Sequence, residues 1–182
     1  MTMNGKLAGL AIMCFNPSAL IKGSHNHKLK YIGLAVPALT FLLYFWQYGA
    51  DRLRLQLTGN SDVALLCLFG LIAGPVLTAL TAAILKIFIR QTAFSDLVTD
   101  IGFTFSLPLL INLVGLILNA IFDINTSVIF GLTGVLFSII PLFDVICASI
   151  KTKRSFLTAL VLITAAGAIY MICPALIFIL KG

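Results

Sequence analysis

The sequence predicts an all-α, polytopic integral membrane protein, and three observations lead to that fold class. Apolar residues make up 60% of the 182 residues, whereas soluble globular domains contain roughly 45–50%. Charged residues make up only 10%, against about 25% in soluble domains. The mean hydropathy is +1.12. Too few polar side chains remain to cover a water-soluble core, so these values exclude an ordinary soluble protein.

Five stretches are long and apolar enough to cross a bilayer, because a transmembrane helix needs about 20 mostly apolar residues. The predicted spans are about 29–48, 63–89, 101–122, 127–150 and 156–180. They form one membrane domain, 29–182, which follows a short amphipathic segment, 1–28. Each span contains one proline, which predicts packing kinks or, alternatively, one kink that opens a cavity or gate: Pro37, Pro75, Pro108, Pro141 and Pro174.

The distribution of Lys and Arg predicts the orientation. Nine basic residues lie before or at the start of the first span and in or beside the connections from span two to three and four to five, and three lie on the opposite side. Cytoplasmic loops of membrane proteins collect basic residues. The count therefore predicts a cytoplasmic N-terminus and a C-terminus on the other side of the membrane.

Segment 1–28 has the features of two short interfacial helices, the second beginning at Asn16 and Pro17. Leu7, Leu10, Ala11 and Cys14 share one helical face. Four lysines can bind anionic headgroups, which predicts that the segment lies along the cytoplasmic leaflet; they are Lys6, Lys22, Lys28 and Lys30. A cleaved signal peptide is the competing interpretation, because Leu7 to Phe15 is a short apolar run after a lysine.

The net charge of +6 is explained by this topology and by contact with anionic lipid, so no nucleic-acid partner is predicted. His25 and His27 lack neighbouring carboxylates and are expected to be solvated rather than bound to metal. The cysteines lie far apart in apolar stretches, which predicts small buried side chains: Cys14, Cys67, Cys147 and Cys173. No cofactor is predicted.

Span two has a small residue at every fourth position: Gly70, Gly74, Thr78 and Ala82. Such a stripe lets a second helix approach closely. It predicts either a helix contact within the chain or a homodimer interface.

Span three places Asn112, Gly115 and Asn119 on one helical face. Amides that face lipid are energetically costly, so this face is predicted to point inward. Hydrogen bonds between helices would account for it, as would the polar lining of a pathway or ligand site.

Asp144 is predicted to be the only acid well inside a span. A carboxylate at the centre of a membrane helix costs about 2.5–3.5 kcal/mol on insertion scales, so a partner or water is expected. Lys86 lies in the same half of the membrane and is the candidate partner. A structural ion pair and a functional site remain equally open.

Enzyme signatures are missing. The chain contains no GxxxxGK[ST], GxGxxG, HExxH or GxSxG motif. All six acids are aspartates, which leaves little material for acid–base catalysis. The sequence therefore predicts a non-enzymatic protein.

The layout resembles the Yip1 domain family, in particular its short bacterial members. The resemblance rests on the five spans, on the segment Phe15-Asn16-Pro17-Ser18-Ala19-Leu20-Ile21, on Thr92-Ala93-Phe94-Ser95-Asp96-Leu97, and on Gly102 and Leu107-Pro108. It covers nearly the whole chain. Eukaryotic relatives have a long cytosolic N-terminal region and act with Rab GTPases in vesicle traffic, a role that the short segment here does not carry over. The family supplies no catalytic residues.

The resemblance implies a bacterial inner-membrane protein that organises membrane partners or lipids. The expected partners are the bilayer, its anionic headgroups, a second copy or another membrane protein. The alternative is a small transporter or channel that uses the faces of Asn112, Asn119 and Asp144. A wet polar cavity joining these residues would favour transport, and a dry core would favour a scaffold.

Overall fold

The computed structural model describes residues 30–149 except 58, 89–91 and 123, together with the isolated residues 161 and 164. Within these residues the chain is all-helical. The helices are α1 (Lys30–Arg54), α2 (Asn60–Phe88), α3 (Phe94–Phe103), α4 (Ser106–Phe122) and α5 (Ser127–Ser149). The predicted segment 1–28 and nearly all of the predicted fifth span lie outside the described residues.

Four stretches of the described chain are long and apolar enough to cross a membrane. They are Tyr31–Arg54, Asn60–Phe88, Phe94–Phe122 and Ser127–Cys147. Large apolar side chains are exposed on each of them, among them Leu39, Leu68, Ile117 and Ile140. The predicted all-α class is thus confirmed for this part of the chain, and an apolar outer surface of this kind suits a lipid environment.

The third of these stretches is bent rather than continuous. α3 and α4 are separated by Thr104 and Phe105, whose N–H groups bond three residues back, to Ile101 and Gly102. Pro108 has no N–H to offer the carbonyl of Thr104 and its ring crowds the preceding turn, which accounts for the tightened turn. The apolar helical stretch that contains this bend begins at Phe94, earlier than the predicted start of span three at about 101.

The two ends of the bundle differ in chemistry. The end where α1 and α3 begin and α2 and α5 end is packed with apolar side chains, including Leu85, Leu97, Ile101, Val145 and Ile146. The opposite end, where α1 and α4 end and α5 begins, buries polar side chains. Packing of apolar side chains therefore dominates the interior only at the end of the bundle where α1 and α3 begin.

α1 is the central helix and packs against all the others. Its closest approach to α3 is at Gly33 and Gly102, where a Cβ atom on Gly33 would lie 2.6 Å from the Cα atom of Thr99. A Cβ atom on Gly102 would overlap the Gly33 carbonyl. Only glycine permits the two backbones to be this close.

Candidate functional site

A polar seam runs along the contact between α1, α4 and the start of α5. Its members are almost completely buried, with exposed fractions of 5% or less. On α1, Thr40, Gln47 and Asp51 recur at spacings of seven and four residues, which places them on one helical face. The seam consists of Thr40, Gln47, Asp51, Asn112, Asn119 and Thr126.

Asp51 is the acid at the polar end of the seam. Its Oδ1 atom accepts a hydrogen bond from Asn119 Nδ2. Its Oδ2 atom accepts one from the backbone N–H of Ser127 at 2.9 Å. Ser127 is the first residue of α5, so the carboxylate satisfies a backbone donor that has no partner within the helix and lies at the positive end of the helix dipole.

Arg54 continues this network toward the surface. Its Nη2 atom donates to the side-chain oxygen of Asn119 at 3.0 Å and to the Asn119 backbone carbonyl at 3.2 Å. Arg54 itself is exposed. Asn119 thus connects a buried carboxylate with an exposed guanidinium, and all three helices that meet here are joined by charge-assisted hydrogen bonds.

Gln47 forms the next layer, one turn deeper on α1. Its Nε2 atom donates to Thr126 Oγ1. Thr126 Oγ1 in turn donates to the backbone carbonyl of Gly115 at 3.0 Å. The connection between α4 and α5 is thereby bound to both α1 and α4.

Thr40 and Asn112 form the third layer. Asn112 Nδ2 donates to the backbone carbonyl of Thr40 at 3.3 Å. Thr40 Oγ1 donates to the carbonyl of Val36 at 2.8 Å, and the Phe105 carbonyl is 3.2 Å from the same oxygen. This layer fixes the bend between α3 and α4 against the middle of α1.

Two oxygen atoms of the seam accept no hydrogen bond from the described residues. They are Gln47 Oε1 and Asn112 Oδ1, and both are buried. A buried acceptor without a donor costs about 1–3 kcal/mol, so such atoms often mark a place where a further group binds.

A cavity of about 200 Å³, called here the lateral cavity, lies beside Asn112 between α1, α4 and α5. Its walls are mostly apolar, and no charged residue of the described chain lines it. The side of α5 that contributes to it includes Val128 and Leu132, whose side chains are 65% and 50% exposed. The cavity therefore borders the outer, apolar surface of the bundle. Its other walls include Thr40, Tyr44, Pro108, Asn112, Gly134 and Ser138.

The stripe of small residues on α2 lies against α1. A Cβ atom on Gly74 would overlap the Pro37 carbonyl, and one on Gly70 would lie 2.7 Å from the carbonyl oxygen of Phe41. Thr78 and Ala82, which continue the stripe, have no exposed surface. In this chain the stripe is therefore occupied by an intramolecular helix contact.

The other predicted pair, Asp144 and Lys86, lies at the apolar end of the bundle. Asp144 is half-buried on α5, and Lys86 is half-buried near the end of α2. Lys86 Nζ donates to the backbone carbonyl of Thr92, which precedes α3. This hydrogen bond ties the connection after α2 back onto the helix, and the proposed pairing with Asp144 stays a prediction.

The predicted headgroup-binding lysines fall at the edge of the structure. Lys6, Lys22 and Lys28 lie outside the described residues, and Lys30 is the first residue of α1. No group of three or more His, Cys, Asp or Glu side chains that could hold a metal occurs in the described ranges.

The sequence reasoning missed the α1 side of the seam. The predicted first span ended at Tyr48, which left Asp51 in a loop, whereas α1 continues to Arg54 and buries Asp51. Asp51 is therefore a buried acid near the end of a membrane-length helix rather than a loop residue. The signal available in the sequence was the regular spacing of Thr40, Gln47 and Asp51 along an otherwise apolar helix.

Comparison with protein-family models, with curated proteins and with solved structures gives no match for this chain.

Proposed function

We propose that this protein is a non-enzymatic integral membrane protein that organises lipids, and through them membrane partners, in a bacterial inner membrane. The proposal includes the Yip1-type layout of five spans with a cytoplasmic N-terminus. The observation that carries it is the way the described interior is used. Asp51, Asn119 and Gln47 bind other parts of the chain, while the cavity is apolar and borders the lipid-facing surface.

The hydrogen bonds of the seam support a structural use of its polar groups. A passage for ions or polar solutes needs side chains that exchange partners with the solute. Here, Asp51 accepts from two groups that belong to two different helical segments, α4 and α5. These contacts stabilise the bundle and leave the apolar outer surface as the main feature available for binding.

The lipid-binding part of the proposal can be tested with the full chain in nanodiscs that contain equal amounts of zwitterionic and anionic phospholipid. We expect enrichment of the anionic lipid around the protein, because clustered basic residues attract anionic headgroups. Replacement of Lys6, Lys22, Lys28 and Lys30 by glutamine should abolish the enrichment, as should high salt. The control is Lys181→Gln, on the predicted opposite side. Equal lipid composition with and without protein would contradict the proposal.

A small transporter or channel is the second candidate, and one observation favours it. Gln47 Oε1 and Asn112 Oδ1 are buried acceptors that lack a donor among the described residues, as polar groups along a solute pathway would be. Flux measurements in liposomes distinguish the two functions. Proton or cation flux above that of protein-free liposomes, lost in Asn112→Leu, would favour transport over the lipid-organising function.

A further inference from the structure

We propose that the lateral cavity binds the neutral hydroxyl group of a lipid alcohol, with Asn112 Oδ1 as the hydrogen-bond acceptor. The inference rests on the proposed lipid-organising function and names the class of lipid group that one site would select. Four properties of the cavity lead to it.

The first property is the unsatisfied acceptor. Asn112 is 97% buried, since only 3% of its surface is exposed. Its Oδ1 atom has no donor within the part of the chain that the structure describes. The same atom lies beside the cavity wall, 3.8 Å from the position that a Cβ atom on Gly134 would occupy.

The second property is that three donors around the cavity are already used by backbone carbonyls. Asn112 Nδ2 donates to the Thr40 carbonyl. The hydroxyl groups of Thr40 and Ser138 donate to the carbonyls of Val36 and Val135, at 2.8 Å and 2.7 Å. None of these three groups donates to Asn112 Oδ1, so a ligand that brings its own hydrogen, as a hydroxyl does, suits this acceptor.

The third property is the absence of charge on the described walls. A phosphate or carboxylate group would enter without a countercharge, which is strongly unfavourable in a low-dielectric site. Asn112 also lies near the middle of the stretch from Phe94 to Phe122. A neutral hydroxyl reaches such a depth at a much smaller cost than an ion does.

The fourth property is size and access. A dry cavity of about 150 Å³ is large enough for benzene, so 200 Å³ accommodates the hydroxyl end of a chain together with a few methylene groups. The rest of the chain would lie along the exposed surface of Val128 and Leu132. The shape fits one lipid alcohol better than a whole phospholipid headgroup.

The experiment uses the full chain in phosphatidylcholine nanodiscs and a radiolabelled hexadecanol whose chain carries a photoactivatable diazirine. We expect labelling of α4 and α5 that unlabelled hexadecanol displaces. The competitor 1-fluorohexadecane, which has nearly the same shape but no donor, should be about tenfold weaker, the effect of one hydrogen bond to an otherwise unsatisfied buried acceptor. Equal competition by the two compounds would overturn the proposal.

Two variants locate the site. Gly134→Leu should block labelling. A Cβ atom at this position would be in ordinary van der Waals contact, 3.5 Å from Pro108 Cβ, and the rest of the larger side chain would occupy space in the cavity that Gly134 lines. The matched control is Thr133→Leu, which lies on the same helix but outside the cavity wall. If Gly134→Leu fails to fold, Gly134→Ala provides a milder variant. Asn112→Leu should remove the preference for the alcohol over the fluoride while retaining binding of the chain.

The remaining outcomes also decide the question. Ordered water at Asn112 with no alcohol preference, or no labelling because another part of the chain fills the cavity, would each overturn the proposal. The lipid-organising function has its own readout, the enrichment of anionic lipid that depends on the N-terminal lysines. If the cavity shows no preference for the alcohol but anionic lipid is still enriched, the cavity proposal is wrong and the lipid-organising function is unaffected.

Discussion

Asn119 Nδ2 donates a hydrogen bond to Asp51 Oδ1, and through this contact the end of α4 is bound to the end of α1 inside the bundle. The same carboxylate receives the first backbone N–H of α5. Three helices thus meet at one buried acid. These charge-assisted hydrogen bonds lie at the opposite end of the bundle from Asp144 and Lys86.

Replacement of Asp51 by asparagine should destabilise the protein. Asparagine has one side-chain oxygen, so either Asn119 Nδ2 or the Ser127 N–H would face a donor instead of an acceptor. We expect a loss of about 1–3 kcal/mol, measured as a lower midpoint of thermal unfolding in detergent. Asp62→Asn is the matched control, because Asp62 is only half-buried and its carboxylate contacts Gly59 in an exposed connection. Equal midpoints for Asp51→Asn and the wild type would contradict the bridging role of Asp51.

Replacement of Gly74 by a residue with a larger side chain should push α1 and α2 apart. Even a Cβ atom at this position overlaps the Pro37 carbonyl, and a backbone carbonyl cannot move aside as a flexible side chain can. Gly74→Leu is therefore expected to lower the unfolding midpoint or prevent assembly, with Gly74→Ala intermediate. The control is Gly59→Ala, where the nearest atom is 3.8 Å from the added Cβ. A Gly74→Leu protein that melts like the wild type would show that the two helices do not touch there.

The crossing at Gly33 and Gly102 should be equally sensitive to a single methyl group. Gly102→Ala forces α3 away from α1, because its Cβ would overlap the Gly33 carbonyl. We expect a loss of about 1–3 kcal/mol from overpacking, and faster hydrogen exchange of α3 amides would show where the damage lies. Unchanged exchange in α3 would rule out the tight crossing.

The orientation predicted from the basic residues can be measured with reporters. A reporter fused to the C-terminus should lie on the periplasmic side, because nine of the twelve basic residues fall on the predicted cytoplasmic side. A fusion after Gln56 in the described connection between α1 and α2 should report the same side. A cytoplasmic signal from the C-terminal fusion alone would show an even number of spans.

Asp144 and Lys86 should be examined by a double-mutant cycle. If they pair, Asp144→Asn and Lys86→Gln each leave a half-buried charge without its counterion, and the double variant should recover part of the lost stability. If Asp144 moves ions or protons, Asp144→Asn should fold normally but lose flux in liposomes, and Lys86→Gln should not restore it. Additive stability losses with no flux would exclude both roles.

Composition and span length were enough to predict the helical membrane class, because the apolar excess is a property of whole segments. The position of Asp51 could not be predicted in this way. A prediction of membrane spans from hydropathy ends each span where charged residues begin, so it leaves Asp51 outside. Asp51 is buried because Asn119 and Ser127, which are remote in sequence, provide its hydrogen-bond partners. The break before α4 depends similarly on Pro108 in combination with Phe105 and Thr40, a contact between two helices that one helix pattern cannot reveal. The lateral cavity also depends on how three helices leave space between them.

The bond between Asp51 and Ser127 also has a consequence for the order of assembly during translation. The two residues are 76 positions apart, so at about 5–20 residues per second the ribosome needs several seconds after making Asp51 before its backbone partner exists. An ionised carboxylate without partners is costly in hydrocarbon, so we expect Asp51 to stay hydrated during that interval. Docking of the α5 N-terminus on Asp51 is therefore expected to be a late step in the closing of the bundle, after α1, α2 and α4 have been made.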